Sequence, residues 1–119
     1  MEKKITFLGL VSLILIIGLL AIGCEGRNSP SRVVRQLHTA VQRGDTARIS
    51  ELMVPEAAGL ALKMLSDFQA EYADSGGISR MDETITGNTA TVRVTYRNGL
   101  VEVIDLVRRD GRWLVTITK

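Results

Sequence analysis

At "DSGG", residues 74–77, the spacing of apolar side chains changes from about 3.6 residues to two. Upstream the repeat is helical. In "SRVVRQLHTAVQRGD" the residues Val33, Val34, Leu37, Ala40 and Val41 form one stripe, and Gly44 stands where a helix stops. Asp45 is placed to cap a second, shorter helix, "TARISELM", with Ile49, Leu52 and Met53 inward. Pro55 suits the first turn of a third, "PEAAGLALKMLSDFQAEYA", which carries Ala57, Leu60, Ala61, Met64, Leu65, Phe68 and Tyr72 on one face. Downstream come "ISRMDETIT" (78–86), "TATVRVTY" (89–96), "LVEVIDLVRR" (100–109) and "RWLVTIT" (112–118). The turn signals "GN", "RNG" and "DG" separate them. A repeat that switches once predicts an α+β domain, with three helices packed on one face of a four-stranded antiparallel sheet.

The register follows from keeping charge out of the apolar row. A two-residue turn at Asn98-Gly99 sets Val92 opposite Asp105. A three-residue loop, Arg97-Asn98-Gly99 with a left-handed Gly99, instead pairs Tyr96 with Leu100, Val92 with Ile104 and Ala90 with Leu106. A tight Asp110-Gly111 turn then puts Leu106 beside Val115 and Ile104 beside Ile117. In this register Glu102 is the one carboxylate that the last three strands turn toward the helices, near the hairpin end. Phe68, Tyr72, Tyr96 and Trp113 fall on the faces that meet, so these four and Glu102 are the candidate pocket-lining residues. The opposite sheet face carries Val101, Val103, Val107 and Leu114, aliphatic enough to predict a homodimer through that open face.

The N-terminal stretch obeys a different rule. After "MEKK", residues 5–23 contain no charge, the pattern of a secretory leader, and the run is also long enough to span a bilayer. Either way Lys3 and Lys4 stay on the cytoplasmic side and the remainder lies outside. The single cysteine of the chain stands where the apolar run ends, in "LAIGC". This resembles the bacterial lipoprotein box. The resemblance implies cleavage between Gly23 and Cys24 and acylation of Cys24, with 1–23 as signal peptide, 24–30 as lipidated Cys and tether, and 31–119 as the folded domain. Each buried acyl methylene contributes about 0.8 kcal/mol, and two or more chains hold firmly where one does not. The expected location is the bacterial cell envelope, on the extracytoplasmic side of the outer or inner membrane, with the membrane as partner through Cys24. The alternative is an uncleaved single-pass anchor.

One cysteine excludes an internal disulfide and cysteine metal clusters. The formal charge of +2 falls by one when Glu2, Lys3 and Lys4 leave with the leader, so nothing predicts nucleic acid as a partner. No P-loop, dinucleotide fingerprint or nucleophile elbow occurs, and no cofactor, metal or catalytic residue is assigned. "RGD" at 43–45 reads as a helix stop followed by the next cap, and Arg108, Arg109 and Arg112 as a solvated turn.

The order of "VVRQLHTAVQRGDTARISELM", "GNTATVRVTY" and "LVRRDGRWLVTI", over residues 31–118, resembles small bacterial lipoproteins of unknown function with a nuclear transport factor 2-like (cystatin-like) domain. The resemblance implies a strongly bent sheet wrapped around helices, often with a conical pocket, and brings no catalytic residues. Enzymes on such folds set a carboxylate base against an acidic Tyr or Asp in an apolar pocket. Here the parts of an isomerase or dehydratase are Glu102 as base and Tyr72 or Tyr96 as donor, with Asp105 second because it faces away from the helices. Read without that chemistry, Glu102 is a solvated margin residue and the tyrosines pack their rings with wet hydroxyls. His38, the one histidine, borders the first helix's stripe beside Val34 and Val41 and reads as a boundary residue. The expected function is a membrane-anchored, non-catalytic ligand-binding or assembly module whose ligand the sequence does not name.

Overall fold

A computed structural model describes residues 29–117; the leader, Cys24 and most of the tether lie outside the described residues, as do residues 118–119. Among the described residues four helices precede four strands: α1 Pro30–Arg43, α2 Thr46–Leu52, α3 Pro55–Lys63, α4 Leu65–Ser75, β1 Ile78–Thr86, β2 Thr89–Tyr96, β3 Val101–Arg109 and β4 Arg112–Thr116. The strands form an antiparallel meander in the order β1-β2-β3-β4. Among the described residues no helix is long and apolar enough to cross a membrane.

Local chemistry fixes both ends of α1. Ser29 caps it by accepting from the Arg32 N–H at 3.3 Å, and Pro30 opens its first turn. Gly44 closes it at φ 68°, and the Asp45 N–H returns to the Ala40 carbonyl at 2.9 Å. Asp45 then caps α2 through its carboxylate and the Arg48 N–H at 3.2 Å. Beyond α2 the chain runs extended through Met53, which bridges Val115 in parallel, and the Val54 N–H donates to the Val115 carbonyl at 2.9 Å. One strand edge thus ties the helical layer to β4.

The third expected helix is two. At Met64 the backbone leaves helical geometry (φ −98°, ψ 11°), although its N–H still bonds Leu60. A straight helix over residues 55–73 would be a rod about 28 Å long. The two halves serve different neighbours: α3 buries Ala57, Ala58 and Ala61 and packs on β4, whereas α4 buries Tyr72 and packs on α1. Gln69 on α4 donates to the Val41 carbonyl at 3.0 Å, a second bond to a last-turn carbonyl of α1 that also accepts from the Gly44 N–H at 3.1 Å. The bend at Met64 lets both contacts form.

The sheet adopts the register that keeps charge out of the apolar row. Val92 faces Ile104, Ala90 faces Leu106 and Leu106 faces Val115. Tyr96 N–H bonds Leu100 at 2.9 Å across the loop, and Gly99 sits at φ 91°. β3 starts at Val101 and β4 ends at Thr116, each shorter than the sequence suggests. In β1 a bulge between Ile78 and Arg80 shifts the phase, so Met81, Glu83 and Ile85 pair with the inward residues Val94, Val92 and Ala90. Glu83 therefore also faces the helices, where it accepts from the Ser31 N–H at 2.9 Å and the Ser31 hydroxyl at 2.8 Å. A carboxylate at the first turn of α1 suits the positive end of that helix.

Val92, Val94, Leu106, Ile49 and Val54 are among the most deeply buried apolar side chains. The other sheet face leaves Val101 and Val103 exposed at 46% and 58%, with Val107 and Leu114 half-buried.

Candidate functional site: a cavity between helices and sheet

Between the helical layer and the open half of β3 lies a cavity of about 220 Å³. Leu37 and Val41 of α1, Phe68 and Tyr72 of α4, and Glu102 and Ile104 of β3 form its principal walls. Exposed Val103 and Ile117 stand at its mouth. The position follows from the topology. β4 stops at Thr116, opposite Asp105, so the β3 segment that carries Glu102 and Ile104 runs past the paired part of β4. The bend at Met64 swings α4 over that segment.

The polar end of the cavity is built from three side chains. The Tyr96 hydroxyl donates to Oε1 of Glu102 at 2.8 Å. Glu102 faces Val94 across the ladder, so Tyr96 reaches it diagonally along the same sheet face. Tyr72 stacks beside Tyr96, with the ring centroids 6.0 Å apart and 29° between the planes. His38 stacks on Tyr72 at 4.2 Å with 24° between the planes, and Phe68 lies 6.3 Å beyond it. His38 is only 7% exposed, and its Nε2 has no hydrogen-bond partner among the described residues.

Burial sets the protonation of this cluster. It pushes the Glu102 carboxyl above its ordinary pKa; the Tyr96 hydrogen bond acts the other way, and the Glu71 charge adds to the rise. Burial also raises Tyr72, reinforced by the Glu102 charge, and raises Tyr96, reinforced by Tyr72 and Glu102. Both hydroxyls therefore remain protonated donors at neutral pH. His38 is lowered by burial, with Arg35 reinforcing and a Gln42 hydrogen bond opposing, so its ring is neutral at pH 7. Among the described residues no three His, Cys, Asp or Glu side chains gather as a metal site.

Of the pocket-lining candidates, Phe68, Tyr72 and Glu102 line the cavity, and Tyr96 stands behind Glu102 as its donor. Trp113 is buried elsewhere on the same sheet face. It pairs with Arg108 near the last turn, and the guanidinium lies 5.1 Å from its ring centroid. Glu102 is half-buried and accepts from Tyr96 rather than standing solvated at a margin, and Tyr72 and Tyr96 are 8% and 5% exposed. His38 is a core residue of this cluster, not a boundary one. The signal for it was its spacing from Val34 and Val41, which sets it on the stripe that meets α4.

No protein-family model matches the chain, and no curated protein matches it significantly. A solved structure from Campylobacter jejuni, named as a nuclear transport factor 2-like transpeptidase, is similar in fold. It has 19% identity and a TM-score of 0.54, over 76% of this chain and all of that one. The likeness is one of fold: α+β, with helices on a four-stranded antiparallel sheet of the nuclear transport factor 2-like kind.

Proposed function

We propose that this chain is an extracytoplasmic lipoprotein, anchored through acylated Cys24, whose folded part is a non-catalytic ligand-binding module. The observation that carries the reading is the cavity itself: about 220 Å³, walled by aliphatic and aromatic side chains, with one hydrogen-bonded carboxylate at its polar end. An apolar recess with a few convergent polar groups is the usual form of a small-molecule site. Its volume lies below the roughly 300 Å³ at which drug-sized pockets begin, so the ligand is small. A thermal-shift screen of small metabolites tests the reading, run in parallel on wild type and on Ala61→Met. Ala61 is buried and lines the cavity, so the longer side chain fills it. A ligand should raise the melting temperature of wild type and not of the filled variant; equal shifts in both place the ligand elsewhere. Intact-mass analysis of the membrane-extracted protein tests the anchor, since cleavage before Cys24 and acylation change the mass together.

An acid–base enzyme of the isomerase or dehydratase kind is the second reading, favoured by the Tyr96–Glu102 pair in an apolar recess. Against it, both tyrosines are shifted away from the range in which they give up a proton. If that reading is right, Glu102→Gln abolishes a turnover while leaving the fold intact.

A further inference from the structure

We infer that the cavity takes a small organic cation, an apolar body bearing a protonated amine, and rejects carboxylates. This rests on the ligand-binding reading and names its ligand class. The charge of the walls decides it. Among the described lining residues Glu102 is the one charged side chain turned toward the space; Asp105, also acidic, lines it while its carboxylate faces Thr91 on the other side of the sheet, and no described lysine or arginine lines it. Glu71 on α4 adds a third negative charge close enough to act on both Tyr72 and Glu102. The Tyr96 hydroxyl occupies one site on Oε1 of Glu102, and a carboxylate offers about four lone-pair sites, so acceptor capacity remains for an ammonium group. Beside it, Phe68 and Tyr72 present aromatic rings to the same space, and ring faces attract a cation within roughly 6 Å. The aliphatic remainder, Leu37, Val41 and Ile104 among it, suits the carbon body. Among the described lining residues a carboxylate ligand meets only like charge, with no guanidinium or ammonium to pair it.

Three probes of one shape separate the possibilities: benzylamine, benzyl alcohol and benzoate. Each is titrated into the full chain in detergent micelles while NMR follows the resonances of Phe68, Tyr72 and Tyr96. Benzylamine is expected to move all three residues and to bind at least about tenfold tighter than benzyl alcohol, with benzoate weakest. Glu102→Gln, which keeps an acceptor for Tyr96, should bring benzylamine down to the level of the alcohol. Asp105→Asn should weaken it less, because that side chain faces the other side of the sheet, where the Thr91 hydroxyl donates to it at 3.2 Å. Alcohol or benzoate binding as tightly as the amine overturns the inference and leaves a ligand site standing. Failure of all three to move these resonances at millimolar concentration overturns both. The wild-type comparison needs no variant, so a poorly folding Glu102→Gln does not spare the inference.

Discussion

Replacing Tyr96 by Phe removes one hydroxyl and leaves the ring, so the stack with Tyr72 and the packing of the sheet face survive. What is lost is a 2.8 Å hydrogen bond to a half-buried carboxylate. Bonds to charged groups contribute about 1.5–3 kcal/mol, and the phenol's own burial offsets part of this, so the expected loss is about 2 kcal/mol at neutral pH. For a domain of this size 1 kcal/mol corresponds to about 4–8 °C, which predicts a drop in melting temperature on the order of 10 °C. Urea denaturation of Tyr96→Phe, Glu102→Gln and the double variant closes a cycle. With Gln at 102 the bond is neutral, and Tyr96→Phe should then cost about 1 kcal/mol. The pH dependence has a definite sign. Burial raises Glu102 in the folded state, so its favourable contribution is present below its ordinary value of 4.5 and is lost as pH rises through the folded value. Glu102→Gln should flatten that slope. Equal costs of Tyr96→Phe in the two backgrounds, or a cost of only a few tenths of a kcal/mol, would refute the reasoning.

Four further outcomes follow from other parts of the structure. His38 is lowered in the folded state, so stability should fall as pH drops below its ordinary 6.5, where only the unfolded chain takes the proton; His38→Phe should lose that slope in denaturation curves at pH 5 and 8. Gly76 lies at φ 76°, and an added Cβ would stand 3.3 Å from the Cβ of Arg97, so Gly76→Ala should destabilise by about 1–2 kcal/mol. Gly59, inside α3 with nothing within 4 Å of an added Cβ, should instead stabilise by about 1 kcal/mol as Ala, and thermal melts distinguish the two signs. If the outer sheet face forms a homodimer, light scattering of the purified protein should report twice the protomer mass, and Val103→Lys, at a site 58% exposed, should return it to one.

The strands were legible because their period is two and their turns are chemically marked. Gly99 at φ 91°, and Asp110 and Gly111 at φ 53° and 74°, supply the left-handed backbone that the expected register needs. Once the register is fixed, the inward face of Glu102 follows from alternation alone. The bend at Met64 was not legible, because neither glycine nor proline marks it and the apolar stripe runs through unbroken from Ala57 to Tyr72. Only the need to reach both β4 and α1 imposes it. The bulge in β1 hid the inward turn of Glu83 in the same way. The cluster at the cavity was half legible. Tyr96 and Glu102 share a face by register, but that Tyr72 stacks on both Tyr96 and His38 depends on where α4 swings after Met64. For His38 the spacing from Val34 and Val41 marked the stripe, while its stacking partner came only with the placement of α4.

The most direct measurement is a crystal structure of the protein soaked with benzylamine. The account predicts density between Phe68, Tyr72 and Glu102, with the amine nitrogen in hydrogen-bond reach of the Glu102 carboxylate and Tyr96 still donating to it. A cavity closed by its own side chains, or density only at the outer surface, would contradict it.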